Sequence, residues 1–278
     1  VPLGPNVNGF EKDLEEFVNK RINGQAPLGK KVVTLSAGTA AVHLALIACG
    51  VKPGDEVLVQ SFTFCASSHP VTYLGATPVF IDSERETWNM DPELLEETIK
   101  DRIAKTGRKP KVIIPVALYG MPYKIDRIMD IANRYGIPVI EDAAEGFGSR
   151  FNGQVLGTFG RYGVLSFNGN KTITTGGGGI LLFQDEELGK FAKHITTQAK
   201  VPHRWAFVHD HIGYNYRMPN INAALGCAQL EQIDRFLESK RATAQVYIDY
   251  FATEPHGIKF MKEPDGTRSN YWLNAVLL

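Results

Sequence analysis

The sequence is poor in cysteine, has no long apolar run and carries no net charge. Its three cysteines, Cys49, Cys65 and Cys227, lie far apart and form no C-x-x-C pair, so we expect reduced cytosolic thiols. No apolar run reaches the roughly 18 residues of a membrane span, and the N-terminus lacks a basic-then-apolar signal pattern. Lysine plus arginine and aspartate plus glutamate both total 30, so bulk charge attracts neither nucleic acid nor an anionic membrane. These features predict a cytoplasmic protein that binds neither nucleic acid nor a membrane.

Several binding motifs are missing as well. The glycine run at residues 176–179 is neither G-x-G-x-x-G after a first strand nor G-x-x-x-x-G-K-[ST], which argues against nicotinamide and P-loop sites. His209, Asp210 and His211 are adjacent rather than spaced i, i+4 on a helix, so we predict no metal site. Cys65 has no readable histidine partner, so a buried thiol is favoured over a nucleophile.

The sequence does contain a regular alternation of strand and helix patterns. Helical spacing of Phe10, Leu14, Phe17, Val18 and Ile22 predicts an amphipathic opening helix. Further strands are predicted at residues 32–35, 57–59, 77–81, 112–115, 138–141 and 180–183, and further helices at 39–49, 66–74, from Pro92 onward, 125–135, 186–197 and 220–250. Because the strands are apolar on both faces, this order predicts an α/β fold with a mostly parallel sheet between helices.

Lys171 is the first candidate for chemistry. It follows a β-rich run at residues 164–167 and precedes the glycine run, so we expect it on irregular backbone near a strand end. A buried lysine amine is readily neutralised, and it can then form a Schiff base with a carbonyl. The alternative is a solvated lysine beside a flexible turn, and this stretch alone leaves both open.

Other candidate residues also follow predicted strands, and ligands gather at the carboxyl ends of parallel strands. The amides of Gly38 and Thr39 begin a helix, which suits a phosphate, and Ser166 suits the same group. Asp142 lies beside small residues that leave room for a flat ligand. Beside a pyridine nitrogen, its carboxylate would keep that nitrogen protonated, and its alternative role is a helix cap.

An aromatic residue completes this set. Phe64 could stack on a ligand ring, although a phenylalanine after a strand is also an ordinary core residue. A Schiff-base lysine, a carboxylate for a ring nitrogen, a phosphate cradle and a stacking aromatic are the parts that pyridoxal 5'-phosphate (PLP) needs.

The sequence also resembles the DegT/DnrJ/EryC1/StrS sugar aminotransferases of PLP fold type I. The resemblance is carried, in the family's order, by residues 36–46 (SAGTAAVHLAL), 54–57 (GDEV), 75–78 (GATP), 141–144 (EDAA), 166–171 (SFNGNK), 174–179 (TTGGGG) and 213–218 (GYNYRM). It implies an aspartate aminotransferase-like large domain over residues 1–238 and the start of a small C-terminal domain at 239–278. Because residues 271–278 run apolar to the last position, we expect that small domain to be incomplete.

The resemblance also implies roles for single residues. Lys171 would hold PLP covalently, Asp142 would face the pyridine nitrogen and Phe64 would lie on the ring face. Gly38, Thr39 and Ser166 would contact the phosphate. Asn215 would reach the phosphate of the neighbouring subunit, which implies a homodimer with shared sites. Glu145 stands where many members carry Gln or His, as in a branch that resembles the makers of 4-amino sugars, and its alternative is an ordinary first-turn acid. Apart from the resemblance, the side chains of Tyr214 and Arg217 beside His209–His211 suit a sugar or diphosphate.

The implied reaction is a transamination. The donor would be L-glutamate and the acceptor a nucleotide-linked keto-sugar, aminated at the 4-keto position of a 6-deoxy sugar for surface polysaccharide or glycan biosynthesis. One alternative is a PLP-fold sugar dehydratase, but in that branch histidine replaces the lysine, so Lys171 argues against it. Another is a non-catalytic regulator of the same fold, which the intact Lys171 and Asp142 disfavour.

Overall fold

The computed structural model describes residues 4–20, 26–253 and 257–278. The helices are α1 (Pro5–Asn19), α2 (Gly38–Ala48), α3 (His69–Tyr73), α4 (Pro92–Thr106), α5 (Ile125–Tyr135), α6 (Glu186–Thr196), α7 (Asn220–Leu230) and α8 (Ile233–Ala252). The longer strands are β1 (Lys31–Leu35), β2 (Glu56–Gln60), β3 (Thr77–Ile81), β4 (Val112–Ile114), β5 (Ile140–Asp142), β8 (Tyr162–Ser166) and β9 (Gly179–Phe183). The two-residue strands are β6 (Arg150–Phe151), β7 (Gln154–Val155), β10 (Lys200–Val201), β11 (Val208–His209), β12 (Lys259–Phe260), β13 (Thr267–Arg268) and β14 (Val276–Leu277). They form the pairs β10-β11 and β12-β14 and the three-stranded sheet β13-β6-β7.

The seven longer strands form one mixed sheet. Hydrogen bonding gives the orders β1-β9-β8-β5 and β4-β2-β3. Parallel bridges from Ile113 to Val139 and from Val116 to Asp142 join the two halves between β4 and β5. Among these strands only β9 is antiparallel to its neighbours, β1 and β8. The predicted mostly parallel α/β sheet is therefore confirmed.

Side chains along these strands alternate between two apolar layers. In β9, Ile180 and Leu182 face the layer that contains α1, α4, α5, α7 and α8, whereas Leu181 faces the layer with α2, α3 and α6. In β2, Leu58 belongs to the first layer and Val57 to the second. This period of two explains why the strand sequences are apolar throughout, because both faces of the sheet are covered.

Most predicted element boundaries agree with the structure, and local chemistry explains them. Asp91 caps α4 by accepting hydrogen bonds from the amides of Glu93 and Leu94. Gly136 ends α5 in the left-handed conformation, with φ 59°. Ile22, predicted to continue α1, lies outside the described residues.

Two predicted helices differ from the structure. The helix expected over residues 66–74 is a 3-10 turn, Cys65–Ser67, followed by the five-residue α3. The single long helix expected over 220–250 is split between Leu230 and Ile233. Glu231 and Gln232 are both good helix formers, so propensity gave no sign of this break.

A third, smaller apolar cluster lies beside the main core. Met121, Ala244, Phe260, Met261 and Tyr271 form it, and Arg241 makes two hydrogen bonds to the Glu263 carboxylate nearby. The domain boundary proposed at residues 238/239 falls within the continuous helix α8. Among the described residues, no helix combines the length and apolar character needed to cross a membrane.

Packing of α1 on α7 gives a test of this arrangement. A Cβ at Gly226 would lie 2.6 Å from the Phe10 ring, which is itself fully buried. We therefore expect Gly226→Ala to lower the free energy of unfolding by about 1–3 kcal/mol, measured by denaturant titration. Gly9→Ala is the control, because a Cβ there meets no atom within 4 Å and removing a helical glycine stabilises by about 0.5–1 kcal/mol. Equal stability of the two variants would contradict this packing.

Candidate active site

A cavity of about 330 Å³ lies at the carboxyl ends of β5 and β8. Its volume is in the range of small-molecule sites. Seven of the predicted site residues line it, namely Gly38, Thr39, Phe64, Asp142, Glu145, Ser166 and Lys171. The structure thus brings together residues that are more than a hundred positions apart in the sequence.

Lys171 lies in the turn that follows β8, as predicted. Its backbone amide donates to the carbonyl of Asn168, which closes the turn. Its Nζ lies 3.5 Å from Glu145 Oε1 and 4.1 Å from the centroid of the Trp272 ring. The side chain is only 14% exposed. The alternative of a solvated loop lysine is therefore wrong, because the amine lies inside the cavity between a carboxylate and an indole face.

Asp142 is the last residue of β5, and its carboxylate is held by two donors. Oδ1 accepts a hydrogen bond from the Ala144 amide at 3.1 Å, and Oδ2 accepts one from Ser67 Oγ at 2.6 Å. Burial raises the pKa of this carboxyl, while Ser67, the Ala144 amide and the charge of Lys171 lower it. A carboxylate held in this way can face a cationic ring nitrogen.

The start of α2 forms one wall of the cavity. Its N-cap residue, Ala37, provides no side-chain cap, so the first amides of the helix are free to bind an anion. Ser166 lies beside this helix start, and a Cβ at Gly38 would come within 3.1 Å of the Ser166 Cβ. This crowding explains why a glycine begins the helix here. The cradle fits the phosphate of PLP.

Phe64 lines the outer, exposed part of the cavity, and Cys65 follows it in the chain. Phe64 lines the cavity and is 71% exposed, so the alternative of an ordinary core phenylalanine is wrong. The buried thiol predicted for Cys65 is also wrong, because the 3-10 turn that begins at this residue leaves it exposed. An exposed aromatic ring in the lining of a cavity is available to cover a bound ring.

Glu145 is buried beside Lys171. Its Oε2 accepts a hydrogen bond from the Tyr119 amide at 2.6 Å, and Tyr119 has a left-handed backbone with φ 58°. Burial raises the pKa of the Glu145 carboxyl, and the charge of Lys171 opposes this change. Its carboxylate is therefore held in place by a backbone amide, next to the amine of Lys171.

Sequence reasoning missed several residues that line the cavity, among them Ser67 and Trp272. Trp272 lies in the proposed second domain, and its Nε1 donates a hydrogen bond at 2.7 Å to the carbonyl of Asn170, which lies in the proposed first domain. Buried Asn270 accepts from the Trp272 amide and donates to the Glu145 and Phe147 carbonyls. No local signal in the sequence points to Trp272, whereas Ser67 belongs to the hydroxyl-rich segment 61–68 that also contains Phe64.

Three other predicted residues lie away from this cavity. Asn215 and Arg217 line a second cavity of about 900 Å³, together with Thr196, Thr197, Gln198, Lys200, Pro202, His203 and Arg204. Tyr214 stacks on Tyr216, with 5.1 Å between the ring centroids. Within the described chain, these three residues are therefore not brought to the Lys171 cavity.

Asp210 forms a polar cluster with two histidines near the second cavity. Its Oδ1 lies 2.6 Å from His194 Nε2 and 3.0 Å from His211 Nδ1. These hydrogen bonds lower the pKa of the Asp210 carboxyl to about 2. The three side chains come close enough to one another to share a cation. The sequence gave no sign of this cluster, because His194 lies in α6, well before Asp210 and His211 in the chain.

A model of the DegT/DnrJ/EryC1/StrS aminotransferase family matches residues 1–278. The chain belongs to this family. PLP is the cofactor of these enzymes, so the predictions of the family, the fold type and the cofactor are confirmed. The lysine, the buried carboxylate and the uncapped helix start fit that cofactor.

Relatives agree with the family assignment. EpsN of Bacillus subtilis, provisionally named a pyridoxal phosphate-dependent aminotransferase, is 44% identical over a 280-residue alignment that covers 100% of this chain and 69% of EpsN. GDP-perosamine synthase of Escherichia coli O157:H7 is 43% identical over 244 residues, covering 88% of this chain and 64% of that enzyme. The crystal structure of a family aminotransferase from Brucella abortus superposes with a TM-score of 0.88 at 32% identity, covering 99% of this chain and 70% of that one.

The phosphate cradle generates a prediction. In Gly38→Ala the new methyl group would crowd Ser166 and shift the start of α2. We expect the affinity for PLP to fall roughly tenfold, measured by absorbance titration of the apoprotein.

Gly169→Ala is the matched control for this substitution. Gly169 lies in the same loop as Lys171, and a Cβ there has its nearest contact at 4.0 Å. It should bind PLP as the wild type does. Unchanged affinity in Gly38→Ala would show that the start of α2 does not hold the phosphate.

Proposed function

We propose that this chain is the catalytic part of an aminotransferase that transfers an amino group from L-glutamate to a nucleotide-linked keto-sugar. The observation that carries the proposal is a single cavity that contains Lys171, the buried carboxylate of Asp142 and an uncapped helix start. These groups would bind the aldehyde carbon, the ring nitrogen and the phosphate of PLP, in that order.

Each residue of the site has its own role in the proposed reaction. PLP supplies an electron sink that stabilises negative charge at the carbon of the bound amino group. Asp142 keeps the ring nitrogen positively charged through its carboxylate. Lys171 Nζ would act as general base and then general acid, taking the α-proton of the donor and delivering it to carbon C4′ of the cofactor in the same half-reaction. With the keto-sugar, the same proton transfer would run in the reverse direction. Glu145 and the Trp272 ring keep that amine within the cavity whenever it is free.

For the acceptor, we propose the 4-keto position of a 6-deoxy sugar, with a product used in surface polysaccharide or glycan biosynthesis. The named activity of the GDP-perosamine synthase relative supports this choice. Lys200, Arg204 and Arg217 in the second cavity are suitable partners for a diphosphate, and Tyr214 remains a candidate sugar contact. The three free cysteines agree with a cytoplasmic location.

We also propose a homodimer in which Asn215 reaches the neighbouring subunit's phosphate. In one chain, Asn215 and Arg217 line a cavity different from that of Lys171. Asn215 is exposed, which leaves its amide free to contact a second chain. A regulator without catalysis is disfavoured, because the amine of Lys171 and the carboxylate of Asp142 line one cavity.

The activity test uses purified protein, PLP, L-glutamate and a panel of 3-keto and 4-keto sugars linked to UDP, GDP or dTDP. We expect an amino sugar from a 4-keto substrate, detected by mass. Lys171→Ala should lose both the absorbance of covalently bound PLP and turnover, because no other described amine lines the cavity.

A matched control for this loss is Lys240→Ala, since Lys240 Nζ contacts only the Trp272 carbonyl near the site, at 3.4 Å. It should keep the covalent absorbance and most of the turnover. Retention of both signals in Lys171→Ala would refute the assignment, and a 3-keto substrate as the best acceptor would refute the 4-keto proposal alone.

Subunit mixing tests the shared site. Lys171→Ala and the double variant Asn215→Ala/Arg217→Ala should each be inactive alone. Mixed in equal amounts and reassembled, they should recover about one quarter of wild-type turnover, because half of the dimers are mixed and each mixed dimer has one intact site. A mixture that is as inactive as its components, although size-exclusion chromatography shows dimers, would place all these residues in one subunit's site.

A further inference from the structure

Two hydroxyl groups in the wall of the cavity form a hydrogen-bonded chain that ends at Asp142. Thr63 Oγ1 lies 2.8 Å from Ser67 Oγ, and Ser67 Oγ lies 2.6 Å from Asp142 Oδ2. Thr63 and Ser67 both line the cavity, and Ser67 is 1% exposed. The 3-10 turn Cys65–Ser67 brings the two hydroxyls together, since they lie four residues apart on either side of its start.

The chemistry of the Asp142 carboxylate fixes the direction of these two hydrogen bonds. Ionised Asp142 can only accept, so the Ser67 proton points to Asp142 Oδ2. With its proton used, Ser67 Oγ accepts from Thr63, which therefore donates. Two aligned hydroxyl dipoles then point their positive ends at one carboxylate oxygen, and such chains reinforce each other in a buried setting.

The other charged groups around Asp142 are Lys171, from the turn after β8, and Glu145, from the segment after β5. Lys171 attracts the charge of Asp142, whereas Glu145 repels it. Lys171 is also the group that the reaction uses, so its charge near Asp142 is not constant. Ser67 and the Ala144 amide are the donors whose contact with Asp142 does not change with that use.

The neighbouring serine shows that this contact is not a general feature of the turn. Ser68 Oγ donates back to the Cys65 carbonyl at 3.2 Å, which is an ordinary local bond within the turn. Ser67 instead contacts a residue 75 positions away. The two serines therefore provide a natural pair for comparison.

We propose that Ser67, with Thr63 behind it, is a positioning residue that keeps the Asp142 carboxylate ionised and oriented toward the ring nitrogen of the cofactor. The inference rests on the proposed PLP site and adds to it a hydrogen-bonded support that acts through Asp142. Ser67 touches no reacting atom in this arrangement. Its contribution should therefore depend on the presence of both Asp142 and the ring nitrogen.

The experiment compares two ligands with the chain of 278 residues. One is PLP, and the other is its carbocyclic analogue, in which C–H replaces the ring nitrogen. We expect Ser67→Ala to weaken PLP roughly tenfold, as for loss of one hydrogen bond to a charged group, and to change the analogue less than about twofold. Ser67→Thr keeps the hydroxyl and should bind PLP with the affinity of the wild type. Thr63→Val should weaken PLP binding by a smaller factor than Ser67→Ala does.

Acidification gives a second readout. Loss of the Ser67 hydrogen bond removes one of the groups that lower the pKa of Asp142, so that pKa rises further. Because the ionised carboxylate is the binding form, PLP affinity should be lost at higher pH in Ser67→Ala than in the wild type as the solution is acidified. In the Asp142→Asn background, Ser67→Ala should have no further effect on either readout.

Ser68→Ala is the control and should leave both affinities and the pH profile unchanged. Equal weakening of PLP and the analogue by Ser67→Ala would overturn the proposal, since it would indicate a purely structural role for the turn. The same holds for an additive effect in the Asp142→Asn background. Failure of the wild type to bind PLP at all would instead refute the proposed function.

Discussion

Burial of the Asp142 carboxylate is the constraint on which the site depends. A carboxylate removed from water keeps its charge only when donors and cations replace the lost solvent. Here the Ala144 amide, the Ser67 hydroxyl and the amine of Lys171 surround it. The strand end positions the carboxylate, the 3-10 turn supplies the hydroxyl and the loop after β8 supplies the amine. The cavity therefore has three independent elements fixed around one charge.

The late part of the chain takes a direct part in this arrangement. Asn270 is buried and bonds to the carbonyls of Glu145 and Phe147, which follow Asp142 closely. Through its contact with the Trp272 amide, Asn270 also places the indole over the amine of Lys171. The proposed second domain is thus joined to the first by hydrogen bonds at the site itself.

Much of the fold was predictable, because it depends on local patterns. Alternating apolar strands predicted the sheet, and Asp91 and Gly136 predicted the ends of helices through their own backbone chemistry. Of the site, the residues at strand ends were predictable because parallel strands bring their carboxyl ends together. The break before Ile233 and the exposed position of Cys65 were not, since Glu231 and Gln232 favour a helix and local sequence does not distinguish an exposed cysteine from a buried one.

Trp272 has a consequence for the order in which the protein becomes functional. Its indole covers an amine that is encoded about a hundred residues earlier, and it is held by a network centred on its neighbour Asn270. During synthesis the sheet and the cofactor cradle therefore leave the ribosome long before the last wall of the cavity. A nascent chain that bound PLP early would therefore hold the cofactor in an open cleft until Trp272 had been synthesised.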